Sequence, residues 1–541
     1  MLPEASSYDE LISRFTWTIP DTFNIGAAIC DEWAAKEPDR EALVYVQEDG
    51  DTRSYSYGDL KRLSNQLACL LASEHVQPGD RVAVLLPQMP ETAIAHIAAL
   101  KLGAITIPLF TLFGEEALSY RLANSGAKLV VTDAAGAGKI AAIRHELPDL
   151  KTVFCTDGDL HGARDLATAM ANQPERFAPL ATRPEDPAII IYTSGTTGQP
   201  KGALHGHRVL LGHLPGVEMS HDFLGQPGDR IWTPADWAWI GGLLDVLMPA
   251  LYLGVPVVAC RFKKFTPEAA FALIEAQKVR NAFLPPTALK LMRQVEAPET
   301  RWTLNMRSIA SGGETLGTEL IEWGRKTFGL TINEFYGQTE CNMIVSSCSA
   351  IMEARPGIMG RPAAGHRVDV VDANGNTVAD HELGNIAVKS PDPVMFLGYW
   401  NNPEATAAKF AGGWMLTGDT GERDEQGWIR FVGRDDDVIT SSGYRIGPGE
   451  IEDCLIRHPA VALAGVVGKP DAQRTEIVKA YIVLKQGVEP NDKLAKEIAE
   501  FVKTRLAAHE YPREVAFVDA LPMTTTGKVI RRELRARAAD E

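Results

Sequence analysis

From about residue 40 the chain alternates apolar runs with amphipathic stretches. Arg81-Val82-Ala83-Val84-Leu85-Leu86 reads as a buried strand. Glu91 to Leu102 reads as a helix with Gly103 in the C-cap position, and Ala104 to Leu109 and Lys128 to Thr132 read as further strands. The alternation returns at Ala188–Thr193 and Val255–Ala259. Strand–helix–strand order of this kind builds a largely parallel sheet covered by helices. The longest apolar stretch runs from Ala238 to Cys260. Its length alone would allow a membrane helix, but Asp245, Pro249, Pro256 and several glycines interrupt it, and a buried helix followed by a buried strand fits better.

After about residue 360 the pattern shortens. Val368-Asp369-Val370-Val371, a turn at Asn374-Gly375, and Asn385-Ile386-Ala387-Val388 predict short antiparallel strands. A second change falls at Gly433-Arg434-Asp435-Asp436-Asp437. Beyond it the pattern predicts a helix over Pro448–Arg457, strands over Ala464–Val467 and Ala480–Leu484, a helix over Asp492–Leu506, a strand over Val515–Phe517, and a basic tail. The fold class expected is α/β, with a large N-terminal domain over 1–433 and a small α+β C-terminal domain over 434–541. The large domain combines βαβ sheets with a small β-barrel-like part. A chain of 541 residues is too long for one core, which agrees with two or more domains.

Charge and cysteine content narrow the function. Net charge is −16, from 54 basic and 70 acidic residues, which disfavours nonspecific nucleic-acid or anionic-membrane partners. Cys30, Cys69, Cys155, Cys260, Cys341, Cys348 and Cys454 are odd in number and scattered, without a Cys-x-x-Cys pair. That favours reduced thiols in a cytoplasmic setting over a structural zinc. The start of the chain shows no basic region followed by an apolar core, so no secretory signal is expected.

The segment from Ile189 to Gly202 changes the picture most. An isoleucine-rich strand runs into Thr193-Ser194-Gly195-Thr196-Thr197-Gly198 and then Lys201. Glycines let backbone N–H groups approach an anion, hydroxyls add donors, and the lysine adds charge, so a triphosphate is the expected guest. A Walker A loop ends in Gly-Lys-Ser/Thr. Here Pro200 precedes Lys201 and Gly202 follows it, which points to a different nucleotide chemistry from that of P-loop ATPases.

Further segments follow in order: Ser311-Gly312-Gly313-Glu314 after a strand-like run, Tyr336-Gly337-Gln338-Thr339-Glu340, Thr417-Gly418-Asp419, the stretch from Gly433 to Glu452 with Ser441-Ser442-Gly443 and Arg445, and Thr524-Thr525-Thr526-Gly527-Lys528. Together they resemble the adenylate-forming superfamily of acyl-CoA synthetases, peptide-synthetase adenylation domains and luciferases, over the whole chain. The resemblance implies a large N-terminal domain and a small C-terminal domain that swings on a hinge. It also implies two half-reactions, in which a carboxylate and ATP give acyl-AMP and pyrophosphate, and a thiol then displaces AMP.

The resemblance assigns Lys528 as the catalytic lysine, Glu340 as the Mg²⁺ ligand and Thr339 as an α-phosphate contact. It places Gly312, Gly313 and Glu314 against adenine with Tyr336 stacked on it, Asp419 on the ribose hydroxyls, and Arg434 and Arg445 near ribose or phosphate. Asp436 takes the hinge position. Gly443 lines the path of pantetheine, and Lys503 reaches the nucleotide phosphate of CoA. The substrates implied are ATP, coenzyme A and a small carboxylic acid; the oligomeric state stays open. A free-standing enzyme that loads a carrier protein is the alternative within this chemistry, and a P-loop-like ATPase or nucleotide-binding regulator the alternative outside it.

Within the superfamily the 441–452 segment looks closest to acetyl-CoA and medium-chain acyl-CoA synthetases. Acetyl-CoA synthetases carry a second tryptophan where this chain has Gly337, and the loss of that indole predicts room for a short-to-medium or branched acid. Trp237, Trp239, Gly241, Asn342 and Met343 complete the expected acyl pocket.

Overall fold

The structure is a computed structural model. It describes all residues except 1, 48–49, 194–198, 263, 315, 435–436, 442–443, 472–473, 507–510 and 525–527; the side chains of 440, 444, 445 and 450 are likewise outside the description. The chain forms two compact units. The first contains Met1–Arg355, Gly360–Arg367 and Lys389–Lys409, and the second contains Pro356–Met359, Val368–Val388 and Phe410–Glu541.

Among the described residues, the first unit holds an eight-stranded and a nine-stranded sheet. In the eight-stranded sheet, Pro187–Thr193, Ile105–Pro108, Arg81–Leu85, Ala127–Thr132, Thr152–Cys155 and Arg164–Asp165 run parallel in that order. Lys201–Gly206 pairs antiparallel with Pro187–Thr193, and Gly398–Tyr399 closes that edge. In the nine-stranded sheet the strands from Asn333–Gln338 to Glu41–Val46 are parallel, and Cys341–Ser346 returns antiparallel beside the first of them.

One core fills the space between these sheets. It joins Val82, Leu129 and Ile191 of one sheet to Leu43, Val257, Phe283 and Phe335 of the other. The helices Pro90–Lys101 and Val209–Ser220 lie in this core; the second is buried at every residue and the first at every residue but the half-buried Glu91, as expected for helices covered on nearly all sides. Proline opens the first of them, where its missing N–H has no intrahelical partner to lose. The interrupted apolar stretch becomes the helical run from Ile240 to Leu253, then the strand Val257–Cys260. No helix among the described residues is long and apolar enough to cross a membrane.

Among the described residues, the second unit holds two five-stranded sheets. One contains Val368–Val371, Gly384–Lys389, Trp414–Arg423 and Ile429–Arg434. The other is dominated by a long ribbon, Val461–Asp471 against Thr475–Leu484, covered by Pro448–Ile456, Asp492–Lys503 and Arg531–Asp540. The ribbon strands are longer than the apolar segments 464–467 and 480–484 predict, because their outer ends carry polar residues such as Lys469 and Glu476 that an apolar run does not register.

Candidate active site

In the first unit the motif residues gather at the carboxyl ends of the parallel strands, where open α/β sheets bind ligands. Thr193 ends its strand and Lys201 opens the next, and the two are register partners. The positions between them, Ser194, Gly195, Thr196, Thr197 and Gly198, lie outside the described residues. Gly312 ends the strand Ser308–Gly312 and Gly313 follows it. Gly313 has φ +93°, a conformation that a side chain would strain. The half-buried Glu314 carboxylate accepts a hydrogen bond from Thr287 Oγ1 at 3.2 Å and lies 3.8 Å from Lys290 Nζ.

Thr339 and Glu340 form the tip of a tight hairpin between Asn333–Gln338 and Cys341–Ser346, with Tyr336 buried on the outgoing strand. Glu340 is buried, and its Oε1 accepts a hydrogen bond from the Tyr399 hydroxyl. The turn is further fixed by Phe396 N–H donating to Glu340 O at 2.8 Å. Lys201 Nζ lies 5.1 Å from the centroid of the same Tyr399 ring, within cation–π range. One tyrosine thus touches both the lysine of the Gly/Ser/Thr segment and the hairpin-tip carboxylate. Its own segment is clamped by Arg208, whose guanidinium donates to the carbonyls of Asp392, Pro393 and Met395 at 2.5–3.0 Å. Sequence reasoning missed Tyr399: the contact is made by long-range pairing of Gly398–Tyr399 with Lys201–Gly206, and no local motif announces it.

The expected acyl pocket needs correction at Gly337. A Cβ on Gly337 would meet Asn342 Oδ1, Asn342 Cα at 2.5 Å and Met343 N at 2.6 Å. The space beside this glycine is therefore filled by the hairpin's own returning strand, and the missing indole does not leave it open for acyl carbons. Glycine is needed here for close backbone approach. The two tryptophans also part company. Trp237 is fully buried in the core between the sheets. Trp239 is half-buried against Phe110 and Phe113, at ring-centroid distances of 5.6 and 5.8 Å. Gly241 lies beside Phe283 and Asp245. Met343 points into the core at φ +59°, a backbone strain of about 1–3 kcal/mol that persists only where surroundings enforce it. Asn342 is buried and donates through Nδ2 to both oxygens of Asp245, at 2.8 and 2.9 Å.

In the second unit, Asp419 is buried on Trp414–Arg423 and pairs in register with Arg434 of the neighbouring strand, with Oδ1 and Nε 4.0 Å apart. Thr417 accepts from Asp419 N–H at 3.1 Å and donates to Ile386 O at 2.7 Å, which sets the strand for this carboxylate. Lys528 is exposed; its N–H donates to Thr524 Oγ1 at 3.0 Å and its C=O accepts from Thr524 N–H at 2.7 Å. Lys503 is exposed on its helix, and its ammonium is held by Glu500 at 2.9 Å, which raises its pKa. Asp436, Gly443 and the Arg445 side chain lie outside the described residues.

A cavity of about 1360 Å³ opens elsewhere, at the amino ends of the nine-stranded sheet's parallel strands, beside Arg230, Pro256, Arg280 and Met306. It takes in none of the motif residues. Among the described residues no group of three or more His, Cys, Asp or Glu side chains is arranged to hold a metal ion.

Comparison with known proteins agrees with this geometry. Residues 30–400 match the AMP-binding enzyme family and residues 450–528 the AMP-binding enzyme C-terminal domain. The acetyl-coenzyme A synthetase of Bacillus subtilis (strain 168) is 36% identical, covering 98% of this chain and 95% of that protein. The mitochondrial acyl-coenzyme A synthetase ACSM4 of Homo sapiens is 35% identical, covering 97% and 92%. Among solved structures, the anthranilate CoA ligase AuaEII in complex with anthranoyl-AMP is 28% identical over 96% of this chain and 98% of that one, with a TM-score of 0.87. With both family regions matched in order and relatives covered almost end to end, the chain belongs to the AMP-binding enzyme family, among its acyl-CoA synthetases.

Proposed function

We propose that this chain is an AMP-forming acid–thiol ligase that joins a short-to-medium-chain or branched carboxylic acid to coenzyme A. The observation that carries the reading is the Lys201–Tyr399–Glu340 contact at the strand ends, where a cation and an ionisable carboxylate stand together beside the Gly/Ser/Thr segment. In the first half-reaction a carboxylate oxygen attacks the α-phosphorus of ATP; the new P–O bond forms as the bond to the β-phosphate oxygen breaks, and pyrophosphate leaves. In the second, the sulfur of CoA attacks the acyl carbon, the C–O bond to AMP breaks, and the thiol proton passes to solvent.

Catalysis of this kind rests on positioning and charge stabilisation more than on covalent help. Lys201 and Thr193 frame the phosphate-binding segment, Thr339 offers a hydroxyl to the α-phosphate, and Asp419 has acceptor sites for both ribose hydroxyls. Glu340 would hold Mg²⁺, which neutralises phosphate charge when bound. Lys528 supplies positive charge between the carboxylate and the α-phosphate. The segment 434–541 carries Lys528 toward the nucleotide for adenylation and away for thiol entry, with Asp436 at the hinge. The aromatic wall of Phe110, Phe113 and Trp239 supports an apolar acyl group, and apolar walls separate acids that differ by one methylene by only about 1–3 kcal/mol. Several related acids should therefore react.

The test is pyrophosphate release with ATP, Mg²⁺ and CoA over acetate, propionate, butyrate, isobutyrate, hexanoate, octanoate and benzoate. A maximum at four to eight carbons supports the reading. A maximum at acetate refutes the acid assignment, and pyrophosphate release without CoA-thioester product refutes the acceptor. Lys528→Ala should abolish adenylation yet still convert supplied acyl-AMP to thioester; equal loss of both halves would sink the two-pose mechanism.

A further inference from the structure

A buried polar chain runs from the core helix Val209–Ser220 to the hairpin that carries Glu340. It begins at His213, fully buried, whose Nδ1 lies 2.8 Å from Val209 O. A carbonyl only accepts, so Nδ1 carries the hydrogen and Nε2 presents a bare lone pair. That Nε2 faces Asp245 Oδ1 at 3.8 Å. Both Asp245 oxygens receive Asn342 Nδ2, and Asn342 Oδ1 accepts Met343 N–H at 2.9 Å. Asn342 and Met343 form a bulge in the returning strand: Tyr336 pairs with Val345, but two residues on, Gln338 pairs with Cys341. Left-handed Met343 is the pivot of that bulge.

We propose that Asp245, acting through Asn342, is the positioning residue that sets the direction of the Thr339–Glu340 turn. Its carboxyl fixes which way round the Asn342 amide lies. Only with Nδ2 toward Asp245 does Oδ1 face Met343 N–H; the opposite rotamer would set two donors against each other at residue 343. The amide hydrogen bond to Met343 N–H then holds the left-handed residue in place. The bulge in turn sets where the strand leaves the tip, one residue after Glu340. On the helix side, Gly216 lets the Met343 backbone approach, since a Cβ there would collide with Met343 O and Cβ.

Among the described residues Asp245 has no Lys or Arg partner, and its burial pushes its pKa well above the usual carboxylate range. Burial thus favours its neutral form, and the His213 lone pair lies on the side to which that form's O–H can point. An asparagine at 245 keeps one carbonyl oxygen for Asn342 Nδ2 and, with a small turn about its Cβ–Cγ bond that carries its NH2 away from that donor, offers an N–H to the His213 lone pair.

The proposal rests on the ligase reading for its kinetic consequences, but its structural consequence can be measured without substrate. Asp245→Asn, Asp245→Ala and Asn342→Ala would be compared in the full chain. Amide exchange of the segment 339–346 should accelerate in Asp245→Ala and Asn342→Ala and stay at the wild-type rate in Asp245→Asn. ATP–pyrophosphate exchange should fall about a hundredfold in the two alanine variants, as expected when a misplaced group costs near-attack geometry, and less than about threefold in Asp245→Asn. Thioester formation from supplied acyl-AMP should fall far less than the exchange in both alanine variants. Equal loss of both half-reactions in an alanine variant, unchanged exchange in the hairpin, or an Asp245→Asn variant as impaired as Asp245→Ala would each overturn the proposal. If Asp245→Ala does not fold, Asn342→Ala reads the same link from the hairpin side. A wild-type enzyme that activates no acid refutes the ligase reading alone, and the exchange experiment still decides this one.

Discussion

At the scale of single residues, Tyr399 separates two effects that usually travel together. Its hydroxyl donates to Glu340 and its ring lies under Lys201. Tyr399→Phe removes the first contact and keeps the second, whereas Tyr399→Leu removes both. A hydrogen bond to a charged group contributes roughly 1.5–3 kcal/mol, so Tyr399→Phe should lower kcat/KM for Mg-ATP by about tenfold or more. The apparent Mg²⁺ requirement should rise, and Tyr399→Leu should lose more. Titrating MgCl₂ in the acid-dependent pyrophosphate exchange decides it; identical curves for all three proteins would show that the tyrosine only packs. The contrast with its neighbours explains what the sequence could reveal. Gly312-Gly313-Glu314 and Tyr336 to Glu340 are legible because each occupies one strand and the turn after it, so chemistry and chain position coincide. Tyr399 and Asp245 are isolated residues whose partners lie far along the chain, at Glu340 and Asn342, and no local pattern records such a meeting.

At the scale of elements, the same distinction governs the hairpin. The parallel strands were readable as apolar runs, and Pro90–Lys101 as a helix with a stop signal. The bulge at Asn342–Met343 was not, because it depends on Gly337 leaving no Cβ between the strands. Gly337→Ala places a carbon against Asn342 Cα and Met343 N, which are backbone atoms that cannot rotate away. Overpacking of this kind costs about 1–3 kcal/mol, and here it also opens the Glu340 tip, so stability and adenylation should fall together. Gly138 is the matched control. It lies within the helix Ala134–Ile143, and a Cβ there meets only the His161 ring at 3.7 Å. Gly138→Ala should stabilise by about 0.5–1 kcal/mol through helix propensity. Urea midpoints of the two variants would show the opposed signs; a neutral Gly337→Ala would mean that the hairpin tolerates a wider bulge.

At the scale of the whole molecule, burial in the first unit shifts titratable groups of both kinds toward their neutral forms, and their pH dependences oppose. His96, His205, His207, His213 and His221 are fully buried, with burial pushing each down to about 3 or 4. Glu91, Glu218, Asp236 and Asp245 are pushed upward by burial, Asp236 to about 6. A histidine whose folded pKa is depressed gives stability that is present above about 6.5 and lost as pH falls, because the unfolded chain takes up the proton. A carboxyl whose folded pKa is raised gives stability that is present below about 4 and lost as pH rises. His96 isolates one side of this balance. It is itself fully buried within a core helix, and neither ring nitrogen has a hydrogen-bond partner among the described residues. His96→Leu should therefore stabilise the first unit at pH 7.5 by removing an unsatisfied polar group, an effect of about 1–3 kcal/mol. At pH 5 the gain should be larger by about 2 kcal/mol, because the unfolded wild-type chain has by then bound a proton that the fold refuses. Urea unfolding of both proteins at the two pH values measures the difference directly. An equal gain at both would mean that the folded interior admits the proton at His96.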